Sequence, residues 1–289
     1  MSASVTDKAL SGPAFRPITD IDSGEPGLYL GVPFEQYLKI KAVSNSTLKS
    51  VEVAAGLAIW SREAPVDEEA ETAADLGTLV HCLALEPDEF KDRYLVSPDF
   101  NLRTNDGKAA AAAFEEQAVR AGMIPIDQST FRKASLMVGS LMAYPDIRNL
   151  LKAENGYSEV TVIWFDAETG LKCKARVDRL VLVPDGCVAL DLKTIDKIHN
   201  IRWNIRDYGY DRQDVHYTEG LLAVGFPNVW FRFGFVASTR QLKRYEVRYG
   251  PIPPEMRSYA AEAQRARLQK YKQCLDFNDF SEQEGEFLL

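Results

Sequence analysis

Cysteine and histidine are both scarce in this 289-residue chain, with four of the first and three of the second. Cys82, Cys173, Cys187 and Cys274 form no C-x-x-C pair. That spacing argues against a zinc knuckle or a disulfide framework and leaves four small apolar side chains suited to a core in a reducing compartment. No apolar run approaches the ~20 residues that a membrane helix requires. The start, MSASVTDKAL, lacks the basic and apolar regions of an export signal, so a cytoplasmic location without a membrane partner is expected. Positive charge is also short. The chain has 34 Lys and Arg against 42 Asp and Glu, a net charge of −8 with a pI near 5.1. That balance argues against a general nucleic-acid coat. It leaves room for a local basic groove, because salt screens charges beyond roughly 8 Å.

The rest is an ordinary globular composition, 46% hydrophobic and 26% charged, with mean hydropathy −0.23. Its length suits one large α/β domain or two small ones. Residues 1–27, rich in Ser, Pro, Gly and Asp, read as a flexible arm. Small polar residues at Val43–Leu48 form a helix N-cap signature. The segment from there runs to Trp60, and the acidic stretch Pro65–Glu71 reads as a loop. Asp75–Leu85 has Leu76, Leu79, Val80 and Leu83 at helical spacing. Leu102–Lys108 reads as a polar loop, Ala109–Ala113 as the start of a helix, and Ser129–Leu141 as another helix.

At Ser158 the texture changes. Val160–Phe165 is β-branched and aromatic, Glu168–Gly170 is turn chemistry, and Leu171–Asp178 alternates. Leu171, Cys173, Ala175 and Val177 share one face of that strand; Lys172, Lys174, Arg176 and Asp178 share the other. The turn Pro184–Asp185–Gly186 leads to a strand over Cys187–Lys193. A helix over Tyr208–Val224, strands at Val229–Ala237 and Tyr245–Tyr249, and a last helix from Pro254 to about Leu275 follow. The order implies an α/β fold, a central mixed β-sheet flanked by helices with a mostly helical N-terminal half. One domain over residues 28–276 is expected: a helical portion (28–157), a sheet core (158–250) and a C-terminal helix (251–276), with 277–289 as a tail.

Asp191-Leu192-Lys193 closes the apolar run Val188–Leu190. With a period of two, Asp191 and Lys193 project from one face, about 6.6 Å apart. A hairpin through the Pro-Asp-Gly turn sets Asp178 beside Asp191. Two carboxylates so placed repel unless a divalent cation lies between them, with the Leu192 carbonyl and water or phosphate oxygens completing its shell. Lys193 is then positioned to orient water or stabilise phosphate charge. A surface ion pair is the simpler account of such a D-x-K. Gln213 and Tyr217, at i and i+4, share a helix face. They either reach the site, or Tyr217 packs inward and Gln213 meets solvent.

In chain order Glu159, Asp178, Asp191-x-Lys193 and Gln213-x-x-x-Tyr217 resemble the PD-(D/E)xK nuclease superfamily in its RecB-like branch, most closely the RecE-type exonuclease family. The likeness extends over Val43–Ser46, Leu57–Trp60 with Ala64–Asp67, Asp75–Thr78 to His81, Leu85–Pro87, Arg103–Asn105 with Gly107–Lys108, and Val236–Thr239. It spans roughly residues 28–250. The resemblance implies a Mg²⁺-dependent exonuclease, with Mn²⁺ as a substitute metal, that degrades one strand of duplex DNA from its 5′ end. It further implies a 3′ tail passed to a RecT-type annealing partner and a ring-shaped homo-oligomer, a tetramer, around the DNA. By position, Asp178 and Asp191 match metal-binding carboxylates, Lys193 the catalytic lysine, Gln213 and Tyr217 the trailing pair, and His81 a further metal ligand. Glu159 matches an upstream acidic position that holds a second metal, orients a ligand or faces solvent.

Candidate DNA contacts are Lys172, Lys174 and Arg176, which bring phosphates inward or form a solvated face. Arg103 and Lys108 flank a polar loop. Ser44 and Ser46 hold a terminal phosphate or simply cap a helix. Rival readings are an iron–sulfur nuclease, disfavoured by the dispersed cysteines, a structure-specific endonuclease, and a non-catalytic DNA-end clamp.

Overall fold

The computed structural model describes residues 12–21, 24–59 and 76–281; Trp60 and the Pro65–Glu71 stretch lie outside them. Strands β1 (Phe15–Arg16) and β2 (Gly27–Tyr29) precede helices α1 (Phe34–Lys39) and α2 (Asn45–Val53). Next come α3 (Leu76–Leu85), α4 (Phe90–Arg93), β3 (Tyr94–Val96), α5 (Asn105–Ala121), β4 (Ile124–Ile126), α6 (Gln128–Ala143) and α7 (Pro145–Leu151). The second half contains β5 (Gly156–Phe165), β6 (Lys172–Val183), β7 (Gly186–Ile195), α8 (Ile201–Asp207), α9 (Tyr210–Ala223), β8 (Val229–Gln241), β9 (Arg244–Gly250) and α10 (Pro254–Phe277). No helix among the described residues is long and apolar enough to cross a membrane.

Seven strands form one mixed sheet in the order β1-β2-β5-β6-β7-β8-β9. β1–β2 and β7–β8 pair in parallel and the other neighbours antiparallel. The β7–β8 crossover contains α8 and α9, because parallel neighbours need a long connection. On one face Val160, Val177, Ala189, Phe231 and Phe233 pack with Leu221 of α9 and Leu268 and Tyr271 of α10. On the other, Leu190, Leu192 and Val236 meet Leu79 of α3, Met137 and Leu141 of α6, and Ile147 of α7. The expected α/β core with helices on both sides is therefore what the chain builds. α9 comes close enough to β5 that a Cβ on Gly220 would lie 2.7 Å from the Trp164 ring, so glycine is required there.

Three local expectations need correction. The arm over residues 1–27 contains ordered structure: β1 pairs with β2, the Phe15 ring lies tilted against Tyr157 with centroids 4.7 Å apart, and Ile21 is buried. Leu102–Lys108 is not all loop. Thr104 caps α5 by accepting from the Gly107 N–H, so Lys108 lies in the helix's first turn. Gly107 fits there because a Cβ would sit 2.0 Å from the Asn101 carbonyl oxygen; the loop-like glycine is part of the cap. Finally, Asp178 lies inside β6 rather than at its end, since the apolar run Leu180–Val183 prolongs the pairing with β7.

Candidate active site

β6 and β7 are joined by a two-residue turn, with Val183 opposite Gly186, and stay in register to Arg179 opposite Leu190. Continued by one pair, the ladder would set Asp178 opposite Asp191. Backbone pairing stops there, and the Asp178 carboxylate takes over: its Oδ2 accepts from the Leu192 N–H at 2.8 Å. His81 arrives from α3 with Nε2 2.6 Å from the Leu192 carbonyl oxygen. A carbonyl only accepts, so Nε2 donates, and Nδ1 faces Asp178 Oδ2 at 3.7 Å.

Glu159 is brought in by a local change of pleat. Ser158 and Arg179 are paired and face the α3–α7 side, where they bond to the carbonyls of Leu85 and Leu150. Val160 and Val177 are also paired, but they lie in the α9–α10 core. Residues two apart on a regular strand share a face, so both strands switch face at the single residue between, Glu159 on β5 and Asp178 on β6. Glu159 achieves this with a left-handed backbone, φ 54°, a costly state for a residue with a Cβ. One ligand atom from each of His81, Glu159 and Asp178 then lies within 4.8 Å of the others. An imidazole nitrogen and two carboxylate oxygens form a donor set that fits a hard divalent cation.

The charges are unevenly matched. Glu159 is ion-paired with Arg176. Asp191, almost wholly buried, has Lys193 Nζ 2.5 Å from Oδ1 and accepts from Gln213 Nε2 at Oδ2. Among the described residues Asp178 has no Lys or Arg ion pair. Burial first, and then the nearby Asp191 charge, push its carboxyl up to about 7, against the opposing pull of His81 and Lys193. Burial lowers Lys193, but the Asp191 and Asp178 carboxylates outweigh it, so its ammonium is held above the ordinary lysine value.

The remaining candidate residues are placed unevenly. Asp191, expected to share the metal with Asp178, is not one of the three residues within 4.8 Å of one another; Lys193 and Gln213 hold its oxygens. The Leu192 carbonyl, expected as a ligand, accepts from His81. Gln213 is buried against Asp191 rather than solvated, and Tyr217 lies against the backbone of Arg176, with its ring edge-on to Phe231 at 5.9 Å. Lys174 is buried, its ammonium donating to the carbonyls of Tyr37, Leu38 and Ile40, and Arg176 donates to the Val32 carbonyl. These two cations tie residues 32–40 to the sheet; they are not a solvated face. Lys172 lies 5.5 Å from the Phe165 ring. Ser44 caps α2 through the Thr47 N–H, and the Ser46 carbonyl accepts from Ser50. Arg103 and Lys108 are exposed beside α5. The Glu159–Arg176 pair and the strained Glu159 backbone are features that no sequence pattern announces.

A cleft of about 2110 Å³ opens over this cluster, lined by His81, Glu159, Asp178, Lys193 and Tyr217 among others. A family model described as a PDDEXK-like domain of unknown function (DUF3799) matches residues 44–286. The chain belongs to that family. Its PD-(D/E)xK-like core is the β5–β8 sheet, and the acidic cluster where β6 and β7 part is its candidate nuclease site. Curated proteins yield no match. The "Putative exonuclease" of Eubacterium rectale shares 14% identity over 88% of this chain and 94% of its own, with TM-score 0.51, a likeness of fold. SSO0001 (12% identity, 56% of this chain and 69% of that one, TM-score 0.27) and VC1899 of Vibrio cholerae (11%, 80% and 58%, 0.22) are too remote to add to it. The family match reaches a PD-(D/E)xK-like domain and stops short of the RecE type.

Proposed function

We propose that the protein is a metal-dependent nuclease that hydrolyses DNA phosphodiester bonds in this cleft. The observation that carries the reading is the convergence of His81, Glu159 and Asp178, with Asp178 a buried carboxylate that no Lys or Arg among the described residues pairs. Those three residues would hold the ion, Mg²⁺ or Mn²⁺ by the hardness of the donors. When bound, such an ion polarises the phosphate and lowers the pKa of attacking water. The chain's own groups do the rest. The Nε2–H bond to Leu192 fixes the His81 ring, and Gln213 holds Asp191, which in turn holds Lys193 as a cation at the cleft wall. From there the ammonium can meet the charge that develops on a phosphate oxygen.

Attack from the 5′ end of linear duplex, leaving a 3′ tail for a RecT-type annealing protein, is the finer proposal and rests on the RecE-type resemblance. So does a tetrameric ring, for which light scattering should give about four times the 32.4 kDa chain mass. Cleavage inside a strand uses the same site chemistry and demands less of the surroundings, and the structure supports it at least as well. The test is digestion of linear 5′-phosphorylated duplex beside closed circular duplex in Mg²⁺, for the native chain and Asp191→Ala. Metal-dependent cutting that Asp191→Ala and EDTA both abolish supports the nuclease; loss of closed circles assigns an endonuclease, and survival of circles with shortening of linear DNA assigns the exonuclease. DNA-end binding with no cutting under either metal would make the protein a clamp.

A further inference from the structure

β8 runs beyond its partner at the end of the sheet where Lys193 lies. Phe235 pairs with Lys193 and Ala237 with Ile195, after which β8 continues to Gln241 and returns as β9. The projecting hairpin is pinned at its root, where the Thr239 hydroxyl donates to Asp196 Oδ1 at 2.6 Å. Gln241 pairs with Arg244, so the turn is Leu242-Lys243, and both residues have left-handed backbones, φ 48° and 65°. Two-residue turns of this shape favour Asn-Gly, because a Cβ at positive φ is strained. Leu242 is nevertheless 97% exposed. Neither the turn geometry nor the core accounts for a leucine there.

Cations flank it in the chain, and more lie on the neighbouring segment. Arg240, Lys243 and Arg244 are exposed on the hairpin. Lys197, Arg202 and Arg206 are exposed on the segment that leaves β7, passes through a turn packed on β8 and β9, and enters α8. None of the six makes an ion pair among the described residues. Trp203, between the two α8 arginines, is 63% exposed. On a chain of net charge −8, unpaired cations gathered with two uncovered apolar side chains are complementary to a phosphate polymer. A bulge shortens β8 between Val236 and Arg240, so the tip lies the length of five β9 residues past the level of Lys193, roughly 16 Å, or about five base pairs of duplex. A two-stranded ribbon is also an element that the major groove admits.

We propose that the β8–β9 hairpin and α8 form a second DNA-contact surface, separate from the acidic cluster, that holds the backbone of duplex DNA about five base pairs from the cut phosphate with Leu242 directed into the groove. The proposal rests on the nuclease reading above and names where the uncut duplex lies. It is tested by fluorescence anisotropy with a 30-base-pair duplex and a single strand of equal length, in Ca²⁺, across a salt series. The proteins compared are the native chain, the triple variant Arg240→Ala/Lys243→Ala/Arg244→Ala, and Leu242→Gly, which suits the turn. The triple variant should bind duplex at least ~10-fold more weakly near 100 mM salt, and the slope of log affinity on log salt should fall by about 2 to 3. Leu242→Gly should weaken duplex binding about threefold with the salt slope unchanged. Hydrolysis of bis(p-nitrophenyl) phosphate, too short to reach the hairpin, should be equal in all three. A native chain that cuts duplex while the triple variant keeps its affinity and slope would overturn the proposal and leave the nuclease reading intact, as would a larger loss on single strand than on duplex. A native chain that neither binds nor cuts DNA would remove the nuclease reading itself.

Discussion

Asp178 is buried without a Lys or Arg of its own among the described residues, whereas Glu159 and Asp191 each have one; that asymmetry sets the rank of the substitutions. Asp178→Asn keeps the shape but not the charge, and should lower cleavage by roughly 10³-fold with loss of Mn²⁺ binding, measured by calorimetry. Gln213→Ala acts through Asp191, so a drop of about 10- to 100-fold in activity is expected, and Gln213→Asn, too short to reach, should not rescue it. The hairpin arithmetic that set Asp178 beside Asp191 was readable from the Pro-Asp-Gly turn and the period of two. The sharing of ligands was not. Which oxygen meets Lys193, and which carbonyl His81 finds, depends on side-chain contacts between elements a hundred residues apart. Glu159 was readable only as an acidic position, because its left-handed backbone follows from a pleat that β5 and β6 change together. Lys174 and Arg176 misled for a related reason: alternation gave the face correctly but not the segment over residues 32–40 that covers it.

α9 carries Gln213 and Tyr217 toward the site and is held from behind by a buried polar chain. His216 Nε2 donates to the Lys174 carbonyl at 3.2 Å, Gln264 donates to His216 Nδ1 at 2.9 Å, and Arg267 links Gln264 to the Leu48 carbonyl and to Glu52. Burial first, and then the Arg267 charge, hold His216 neutral against the opposing pull of the Lys174 carbonyl, its pKa pushed down from 6.5 to about 4. The unfolded chain therefore takes up this proton first as pH falls. Stability from His216 is complete above pH 6.5 and is lost progressively toward pH 4, by about 2 kcal/mol at pH 5. Asp178, with its carboxyl raised to about 7, contributes in the opposite sense over this range, so the loss is read as a difference: from pH 7.5 to pH 5, urea unfolding of the native chain should lose about 2 kcal/mol more than that of His216→Gln. The α9–β5 contact makes a second prediction: Gly220→Ala forces a methyl into the Trp164 ring and should lower the unfolding free energy by about 1–3 kcal/mol in the same assay. Of these elements, the strands and α9 were legible from periodicity and turn chemistry. The start of α5 was not, because a glycine needed for a cap looks like a glycine in a loop.

At the scale of the molecule, the acidic total hides a divided surface. Three carboxylates and a lysine meet in the cleft, while unpaired Arg and Lys gather at the β8–β9 end, and a net charge of −8 reveals neither arrangement. The PD-(D/E)xK-like architecture was visible because several short motifs occur in order, each tied to an element the sheet later supplies. Ring assembly, end preference and the annealing partner have no such mark in this chain and enter only through the resemblance. What the whole account depends on is cation capture where β6 and β7 part. Anomalous scattering from a crystal soaked in Mn²⁺ tests it most directly. A manganese peak within ligand distance of His81, Glu159 and Asp178, absent from Asp178→Asn crystals, is the predicted result. Manganese bound elsewhere, or a peak at that place which persists in Asp178→Asn, would contradict it.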